Sequence, residues 1–375
     1  MVIIEFIFRY LYLIMALLLI APVLTWVERK QSAIMQDRVG ANRASIFGFR
    51  LLGLFHALAD SLKLFTKENF VPKGANRFLF LLAPCISLFF AVLGFAVIPH
   101  GEGLIIGGEM VPLQIANLQI GLLYFFAVLG MAVYGVVIGA WASNNNYALL
   151  GGLRASAQMI SYEVSIGVSL IGVILVYQSV DLMEIARAQG HLMGGWIPMW
   201  GIIVQPIGFI IFLTAGIAET KRIPFDAPEG ESEIIGYFTE YSGMAFGMYF
   251  LTDFLETVLI ASLTVTFFLG GWQVPYLFAD GFQIGGFALP LASIIGENGP
   301  FLFGIFEWHN FVVTTLQFLA FIFKVCVMIF IMMTIRWTLP RFRYDQIMHL
   351  GWKILLPLSL LNIVATAFLV YFGIL

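Results

Sequence analysis

The amino-acid sequence predicts an all-α polytopic membrane protein, with about eight transmembrane helices and one amphipathic interfacial helix in the first inner loop. Of its 375 residues, 61% are hydrophobic and 11% are charged, whereas ordinary soluble domains contain about 25% charged residues. Apolar stretches of about 20 residues, the length that crosses a bilayer as a helix, recur along the whole chain. A soluble globule and a disordered chain are therefore both excluded.

Eight stretches have the length and composition of transmembrane helices. They are residues 5–27, 78–98, 119–141, 158–179, 197–218, 236–270, 311–337 and 353–373. We do not expect the first to be a cleaved signal peptide, because Glu5 and Arg9 flank it and no small-residue cleavage site follows. The sixth is longer than a span requires, so we expect it to be tilted, kinked or interrupted. Residues 1–375 are predicted to form a single membrane domain.

The distribution of Lys and Arg predicts the orientation of these spans. If the N-terminus lies outside, four loops face inside, and they contain 16 of the 19 basic residues. These inner loops are residues 28–77, 142–157, 219–235 and 336–353. The outer segments 99–118 and 271–310 contain no Lys or Arg. We therefore expect both termini to lie outside.

The first inner loop, residues 28–77, is too long for a simple connection. Within it, an apolar and a polar set of side chains recur at helical spacing on nearly opposite faces. The apolar set is Phe47, Leu51, Leu54, Leu58, Leu62 and Phe65, and the polar set is His56, Asp60, Lys63 and Lys67. This pattern predicts an amphipathic helix at the membrane surface. The helix is either a simple interfacial anchor or a lid over a cavity that opens into lipid.

The third inner loop, within residues 219–240, concentrates six carboxylates. They are Glu219, Asp226, Glu229, Glu231, Glu233 and Glu240. A solvated acidic loop is the ordinary interpretation of such a run. However, the first and last of the six adjoin apolar spans, and prolines stiffen the connection. Carboxylates crowded at membrane depth cannot all be ionised cheaply, so they can relay protons or respond to a nearby charge.

Other ionisable residues lie within the predicted spans, where a charge costs at least ~2.5 kcal/mol and needs a partner or a wet cavity. Glu163 lies near the inner end of the fourth span. Asp253 and Glu256 on the sixth are three residues apart and so share a helix face. Lys324, in the seventh, is either part of a structural ion pair or a link in a buried charge chain. We expect its partner to be one of the inner carboxylates.

The sequence contains no motif for a bound metal, nucleotide or redox centre. Cys85 and Cys326 cannot supply the four thiolates that an iron–sulfur cluster normally needs. The five histidines are scattered, and no spacing resembles a metal site. There is no dinucleotide fingerprint, P-loop, nucleophile elbow or basic tract for nucleic acid. Any redox centre is therefore expected in a partner. The last inner loop interleaves Arg with aromatic residues, which fits topology alone, binding of a polar head group or a protein interface.

Five segments, in order, resemble the H-type (ND-one type) membrane-arm component of respiratory complex I, the NADH:quinone oxidoreductase. They are residues 27–30 (Val-Glu-Arg-Lys), 59–68, 153–163, 218–233 with the Thr-Glu-Tyr at 239–241, and 340–346. The resemblance runs nearly end to end. It implies a non-redox membrane-arm subunit of a translocase (EC 7.1.1 class) that closes the membrane end of the quinone chamber and anchors the hydrophilic arm.

The resemblance also implies partners and a membrane. Quinone is the substrate, no cofactor is bound by this chain, and FMN and iron–sulfur clusters belong to partner subunits. The partners are the quinone-site subunits of the hydrophilic arm, neighbouring small membrane subunits and membrane lipid, without nucleic acid. The membrane is the bacterial inner membrane or the mitochondrial inner membrane. No independent activity and no catalytic residue are expected.

Individual residues acquire expected roles from the family motifs. The quinone chamber and its entrance would involve Glu28, Arg29, Arg38, Asp60, Lys63, Phe225 and Arg336. The polar path that couples quinone reduction to proton translocation would involve Glu163, Glu219, Asp226, Glu229, Glu231, Glu233, Glu240 and Lys324. The spacing departs from the family pattern at one place, because one residue fewer separates Glu233 from Glu240. A single deletion rotates a helix by ~100°, which changes their relative facing.

Three other functions fit parts of the sequence. The equivalent subunit of a membrane-bound hydrogenase or another quinone- or phenazine-linked complex would look similar, and its soluble partners would distinguish it. An independent ion-coupled transporter predicts inverted repeats and paired broken helices, neither of which is visible in the sequence. A passive anchor accounts for the apolar spans, but it leaves the buried carboxylates unexplained.

Overall fold

The computed structural model describes residues 12–106, 109–194, 196–228, 230, 236–278, 281–284, 287–290, 300–301 and 306–373. Helices dominate the described structure. In chain order they are α1 (Tyr12–Met35), α2 (Phe55–Thr66), α3 (Arg77–Gly94), α4 (Gly121–Ala142), α5 (Asn146–Tyr177), α6 (Leu182–Ala188), α7 (Gly201–Val204), α8 (Pro206–Glu219), α9 (Gly243–Phe268), α10 (Trp308–Thr338), α11 (Tyr344–His349) and α12 (Leu356–Tyr371). A π-helix, Leu350–Leu355, joins α11 to α12.

Six described segments are long and apolar enough to cross a membrane, and they confirm the all-α polytopic fold. They are Arg77–Val97, Gly121–Ala142, Asn146–Tyr177, Gly243–Phe268, Trp308–Thr338 and Tyr344–Tyr371. The predicted first span begins outside the described residues, and its helix α1 is described from Tyr12 onward. Because α1 continues to Met35, Glu28 and Arg29 belong to this helix and not to the following loop.

The predicted span at 197–218 is interrupted. α7 ends just before Gln205 and α8 begins at Pro206, since proline lacks the N–H that would continue the helical hydrogen bonds. The Gln205 side chain donates to Thr366 Oγ1 (2.6 Å) and accepts from Asn362 Nδ2 (2.8 Å). These contacts with α12 satisfy the polar side chain at the break inside an apolar bundle.

Among the six described spans, α9 is the most enclosed. Every residue from Phe254 to Phe268 is buried, and α9 packs against α1, α2, α3, α8 and α10. A helix that is buried on all sides lies at the centre of a bundle. The extra length of the predicted sixth span lies in a turn at 237–240, before the helix begins. Charged side chains on α9 must therefore find their partners inside the protein.

The structure confirms the amphipathic helix of the first inner loop, but with a shorter extent. α2 begins at Phe55, whereas Phe47 and Leu51 of the predicted stripe have φ angles of 49° and 36°, which an α-helix does not allow. The helix packs against α1 and α9 with one side. Three of its apolar side chains are exposed, as an interfacial helix requires. These are Leu58, Leu62 and Phe65.

Nine short strands occur among the described residues; eight lie in segments predicted to be outside, and β4 lies at the start of the predicted span at 197–218. One antiparallel sheet has the order β2-β1-β9-β8, formed by β1 (Leu104–Ile106), β2 (Glu109–Val111), β8 (Pro300–Phe301) and β9 (Phe306–Glu307). The others pair β3 (Leu192–Met193) with β4 (Ile197–Pro198), and join β5 (Leu277–Phe278), β6 (Gly281–Ile284) and β7 (Phe287–Pro290). The sequence did not predict them, because such short strands show no readable alternation.

Close packing of α3 against α4 depends on Gly135. A Cβ at this position would lie 2.1 Å from Ser87 Oγ and 2.7 Å from Ser87 N, so one helix would have to move. We expect Gly135→Ala to lower the free energy of unfolding by about 1–3 kcal/mol, measured as a lower melting temperature of the solubilised protein. Gly167→Ala is the control, because a Cβ there comes no nearer than 3.7 Å to Phe126. Equal destabilisation by both variants would contradict this explanation.

Candidate functional site

The connection between α8 and α9 folds back into the helix bundle. Gln158 Nε2 donates hydrogen bonds of 2.7 Å to the carbonyl oxygens of Ala218 and Phe225. The buried ring of Phe225 packs against Tyr162 and Phe342. The described part of the acidic loop is therefore packed rather than solvated. Three of its predicted path residues lie outside the described residues, namely Glu229, Glu231 and Glu233.

Glu28, on α1, joins three segments through two ion pairs. Its Oε1 lies 2.6 Å from Arg336 Nη1 on α10, and its Oε2 lies 3.2 Å from Arg222 Nη1 in the connection after α8. Arg222 also stacks on Phe254 of α9, 4.1 Å from the ring centroid. The charged side chains are between 14% and 23% exposed. At this burial the loss of one partner is costly, because the other charge stays desolvated.

Asp226 fastens the same connection to the segment before α11. Arg341 Nε lies 2.6 Å from Asp226 Oδ1, and Arg341 Nη2 donates to Asp226 Oδ2 at 2.8 Å. This two-point geometry is the strong form of an Arg–carboxylate pair. Burial raises the pKa of Asp226, and the adjacent Arg341 and Arg336 partly offset this rise.

Lys221 is a buried cation with two carboxylate partners. Its Nζ lies 3.1 Å from Asp253 Oδ1 and 3.5 Å from Glu256 Oε2, both on α9. The lysine side chain is 1% exposed, and those of Asp253 and Glu256 are 13% and 2% exposed. The shared helix face predicted for the two carboxylates is therefore confirmed, and the cation that they face is Lys221.

Glu219, the last residue of α8, is buried next to this group. Among the described residues, neither of its carboxyl oxygens has a hydrogen-bond partner. It is electrostatically coupled to Glu256, Glu163 and Lys221, in decreasing order of strength. A buried carboxyl without a hydrogen bond responds strongly to any change in neighbouring charge.

Two other carboxylates predicted for the polar path, Glu163 and Glu240, lie outside the Lys221 group. The carboxylate of Glu163, on α5, is only partly buried and lies against Gly130 of α4, where an added Cβ would come within 3.2 Å of it. Glu240 accepts a 2.6 Å hydrogen bond from Asn145 Nδ2, at the start of α5. The structure thus couples Glu163 to Glu219, and it places Glu240 in a contact of its own.

Two cavities of about 160 Å³ each adjoin these ion pairs. The inner cavity has charged walls, which include Lys221, Arg222, Asp226, Asp253 and Arg336. The lateral cavity lies between α1, α2 and α9, and its walls are mainly apolar. Phe250 lines both cavities, so the two adjoin at this side chain of α9.

The predicted entrance residues divide into two groups. Arg29 and Asp60 form a 2.6 Å ion pair between α1 and α2, and Asp60 lines the lateral cavity. Arg38 and Lys63 are exposed, and Arg38 Nε donates to Gln36 Oε1 at 2.7 Å. Neither of these two lines one of the cavities described above. The Arg29–Asp60 pair thus adjoins the lateral cavity and Arg336, paired with Glu28, lines the inner one, whereas Arg38 and Lys63 belong to neither.

The prediction that Lys324 pairs with an inner carboxylate is wrong. Its Nζ donates to the carbonyl oxygens of Leu269 (2.7 Å), Gly271 (3.0 Å) and Gln273 (2.7 Å). It also lies 4.6 Å from the centroid of the Trp200 ring. These carbonyls follow the C-terminus of α9, where unpaired oxygens and the helix dipole favour a cation. The role of Lys324 on a proton path stays a prediction.

Comparison with known proteins identifies the family. A family model described as NADH dehydrogenase matches residues 8–367. The chain belongs to the NADH dehydrogenase family. It is 42% identical over 350 residues to an H-type subunit of the NADH-quinone oxidoreductase of Cytophaga hutchinsonii, and the match covers 93% of this chain and 92% of that protein. The resemblance to the H-type component of complex I is thus confirmed.

Two further relatives carry similar names. An H-type subunit of the NADH-quinone oxidoreductase of Geobacter sulfurreducens is 45% identical over 356 residues, covering 95% of this chain and 93% of that protein. Its counterpart from Rhizobium meliloti is 41% identical over 354 residues, covering 94% and 93%. The similarity is therefore not confined to isolated motifs, and it spans all the elements that build the site.

Sequence analysis of this NADH dehydrogenase family member missed three cations of the site. Lys221 and Arg222 directly follow Glu219-Thr220, and Arg341 lies in the last inner loop. Their positions in the sequence indicate an inner membrane edge and, for Arg341, also a possible interface, but not ion pairs with buried acids, although cations next to such acids are natural partners. Among the described residues, no group of three or more His, Cys, Asp and Glu side chains is placed to hold a metal ion.

The double ion pair of Glu28 gives a test of the site's architecture. We expect Glu28→Gln to lower the free energy of unfolding by about 1–3 kcal/mol, because it leaves two desolvated guanidinium groups without a counter-charge. Melting temperature reports this loss, and hydrogen exchange should rise locally over residues 220–226. Asp345→Asn is the control, since Asp345 and its partner Arg343 are 59% and 71% exposed and solvent screens their attraction. Similar losses in both variants would argue against a structural role for Glu28.

Proposed function

We propose that this chain is a membrane-arm subunit of a proton-pumping NADH:quinone oxidoreductase. It forms the membrane side of the quinone chamber and its entrance from lipid, anchors the hydrophilic arm and couples quinone reduction to proton translocation. It has no redox chemistry of its own, and FMN and iron–sulfur clusters belong to partner subunits. The main support is the adjoining pair of cavities, one apolar and one charged, that share Phe250.

The lateral cavity suits the entry of a quinone from lipid. Its walls combine apolar side chains of α2 and α9, such as Leu64 and Phe254, with Asp60 and Ser61 at the polar end. Ligand pockets usually measure about 300–1,000 Å³, and each cavity here is about 160 Å³. This chain would therefore supply one wall, and a hydrophilic-arm subunit would complete the chamber.

The charged walls of the inner cavity supply a mechanism for coupling. A quinone that gains electrons before it is fully protonated adds negative charge beside Arg222 and Arg336. That charge competes with Glu28 for the same cations and changes the field at the buried acids. Protonation would shift first in the acidic loop and at Glu219, then further along the membrane arm.

The orientation of the chain and the kind of membrane are inferred from the sequence and from the relatives. The inner loops hold most of the Lys and Arg residues, which supports an outside N-terminus. The named relatives come from bacteria, which favours the bacterial inner membrane. Their names favour an NADH-linked complex over a hydrogenase-linked one. The partners would be quinone-site subunits at the inner face and small membrane subunits alongside.

Filling the lateral cavity tests the entrance. We expect Ser61→Phe to lower NADH:quinone reductase activity at least about tenfold, because a mismatched pocket rejects its substrate by such factors. The complex is isolated through a C-terminal tag on this chain, and NADH oxidation by a soluble artificial acceptor should stay unchanged. Leu62→Phe is the control, since Leu62 is exposed on the other side of α2. Full quinone activity in Ser61→Phe would overturn the proposed entrance.

Glu219→Gln tests the coupling. We expect quinone-linked proton pumping to fall at least about tenfold, because a positioned proton-transfer group typically contributes about 10²–10⁴-fold to the rate of the step it serves. Electron transfer from NADH to the soluble acceptor should be retained. Pumping is measured as protons per electron in proteoliposomes, with the exposed outer-side Glu184→Gln as control. Parallel loss of both activities would indicate failed assembly, and unchanged pumping would remove Glu219 from the path.

A further inference from the structure

The group formed by Lys221, Asp253 and Glu256 has an uneven charge count. One ammonium faces two carboxylates at 3.1 and 3.5 Å, and all three side chains are at most 13% exposed. If both carboxylates were ionised, these three side chains would together carry one excess negative charge inside the bundle, which is costly. The group is neutral when one carboxyl holds a proton. Its geometry thus favours one proton shared between two sites.

The position of this group connects the inner cavity with Glu219. Lys221 and Asp253 line the cavity, whereas Glu256 is absent from its walls and is 2% exposed. Glu256 is also the strongest electrostatic neighbour of the buried Glu219. The three residues therefore bridge the cavity and the interior of the bundle.

Several other ionisable groups surround Lys221 and set the field in which it acts. The ring of Tyr237 lies 5.8 Å from its Nζ, and other titratable groups line the inner cavity or are coupled through Glu219. These are Arg222, Asp226, Tyr249 and Arg336 in the cavity wall, and Glu163 beyond Glu219. Because Arg222, Arg336 and Asp226 already have ion-pair partners, Lys221 is the cation that faces Asp253 and Glu256 directly.

We propose that Lys221 is a positioning residue that divides one proton between Asp253 and Glu256. When the ammonium pairs with Asp253, the proton is on Glu256; when it pairs with Glu256, the proton is on Asp253. Both states have zero net charge, so a proton can enter at the cavity and another can leave toward Glu219 without an uncompensated buried charge. This inference rests on the proposed coupling function and adds to it a cation that the sequence analysis did not assign.

The test is a double-mutant comparison in the intact complex, reconstituted in vesicles. Lys221→Met leaves two facing carboxylates without a cation, and Glu256→Gln leaves a permanent Lys221–Asp253 pair with no proton to share. We expect each to lower protons pumped per electron at least about tenfold, because each removes the shared proton transfer. The double variant should lose about as much as either single variant, because the second change removes nothing that the first has left. Independent structural effects would instead add, so that the double variant loses about the product of the two single losses, and that result would overturn the proposal.

The pH profile and the conservative variant give independent readouts. Without the ammonium the facing carboxylates bind protons more tightly. The pH at which Lys221→Met pumps at half its maximal rate should therefore rise by about one unit. Lys221→Arg keeps the charge and should retain both the profile and most of the pumping. Unchanged pumping and pH profile in Lys221→Met would also overturn the proposal.

Assembly and specificity need their own controls. Acceptor-linked NADH oxidation reports assembly in every variant, and Lys353→Met removes an exposed lysine at the inner edge as a matched control. If the complex with Lys221→Met does not assemble, the proposal is tested by Glu256→Gln alone. Undiminished pumping in Glu256→Gln would contradict a shared proton. If Ser61→Phe and Glu219→Gln have no effect, the proposed function fails. If they act as expected and the Lys221 and Glu256 variants do not, only this inference fails.

Discussion

The rest of the structure depends on the need to neutralise charge inside an apolar helix bundle. The short connection after α8 carries Lys221, Arg222 and Asp226 into the interior, and each finds its counter-charge on a different element. Arg222 pairs with α1, Lys221 pairs with α9, and Asp226 pairs with the segment before α11. Because an unpaired charge here is costly, these pairs fix the connection in one place and shape the inner cavity.

This arrangement links the two cavities mechanically as well as electrostatically. Glu28 lies on the same helix as Arg29, which pairs with Asp60 at the edge of the lateral cavity. Phe254 lines the lateral cavity and also supports Arg222 from the inner one. A ligand that enters beneath α2 therefore contacts elements that hold the charged connection. In the proposed function, this contiguity allows quinone binding to change the ion pairs without any large movement of helices.

The sequence predicted the helical spans well, because lipid demands long apolar helices whose backbone groups are all paired. It also predicted the two facing carboxylates of α9 and the amphipathic α2. It did not predict ion-pair partners. Lys324 shows why: a cation in an apolar span needs polar neighbours, but backbone carbonyls at the end of α9 serve as well as a carboxylate. Partner choice is set by the packing of distant helices, which periodicity does not encode. Similarly, the sequence places Lys221 in an inner loop, and only the fold shows that its side chain contacts α9.

The charge balance of the described inner group explains why coupling is physically reasonable there. Four carboxyls, those of Glu28, Asp226, Asp253 and Glu256, are ion-paired with four cations, Lys221, Arg222, Arg336 and Arg341, and Glu219 is a fifth carboxyl buried beside them. One proton makes the group neutral, so it lies close to a change of protonation state. A permanently balanced set would resist an added charge, and a strongly unbalanced set would not be stable in the bundle. A group that differs from neutrality by one proton can take up or release that proton when charge appears in the inner cavity, as the proposed coupling to quinone reduction would require.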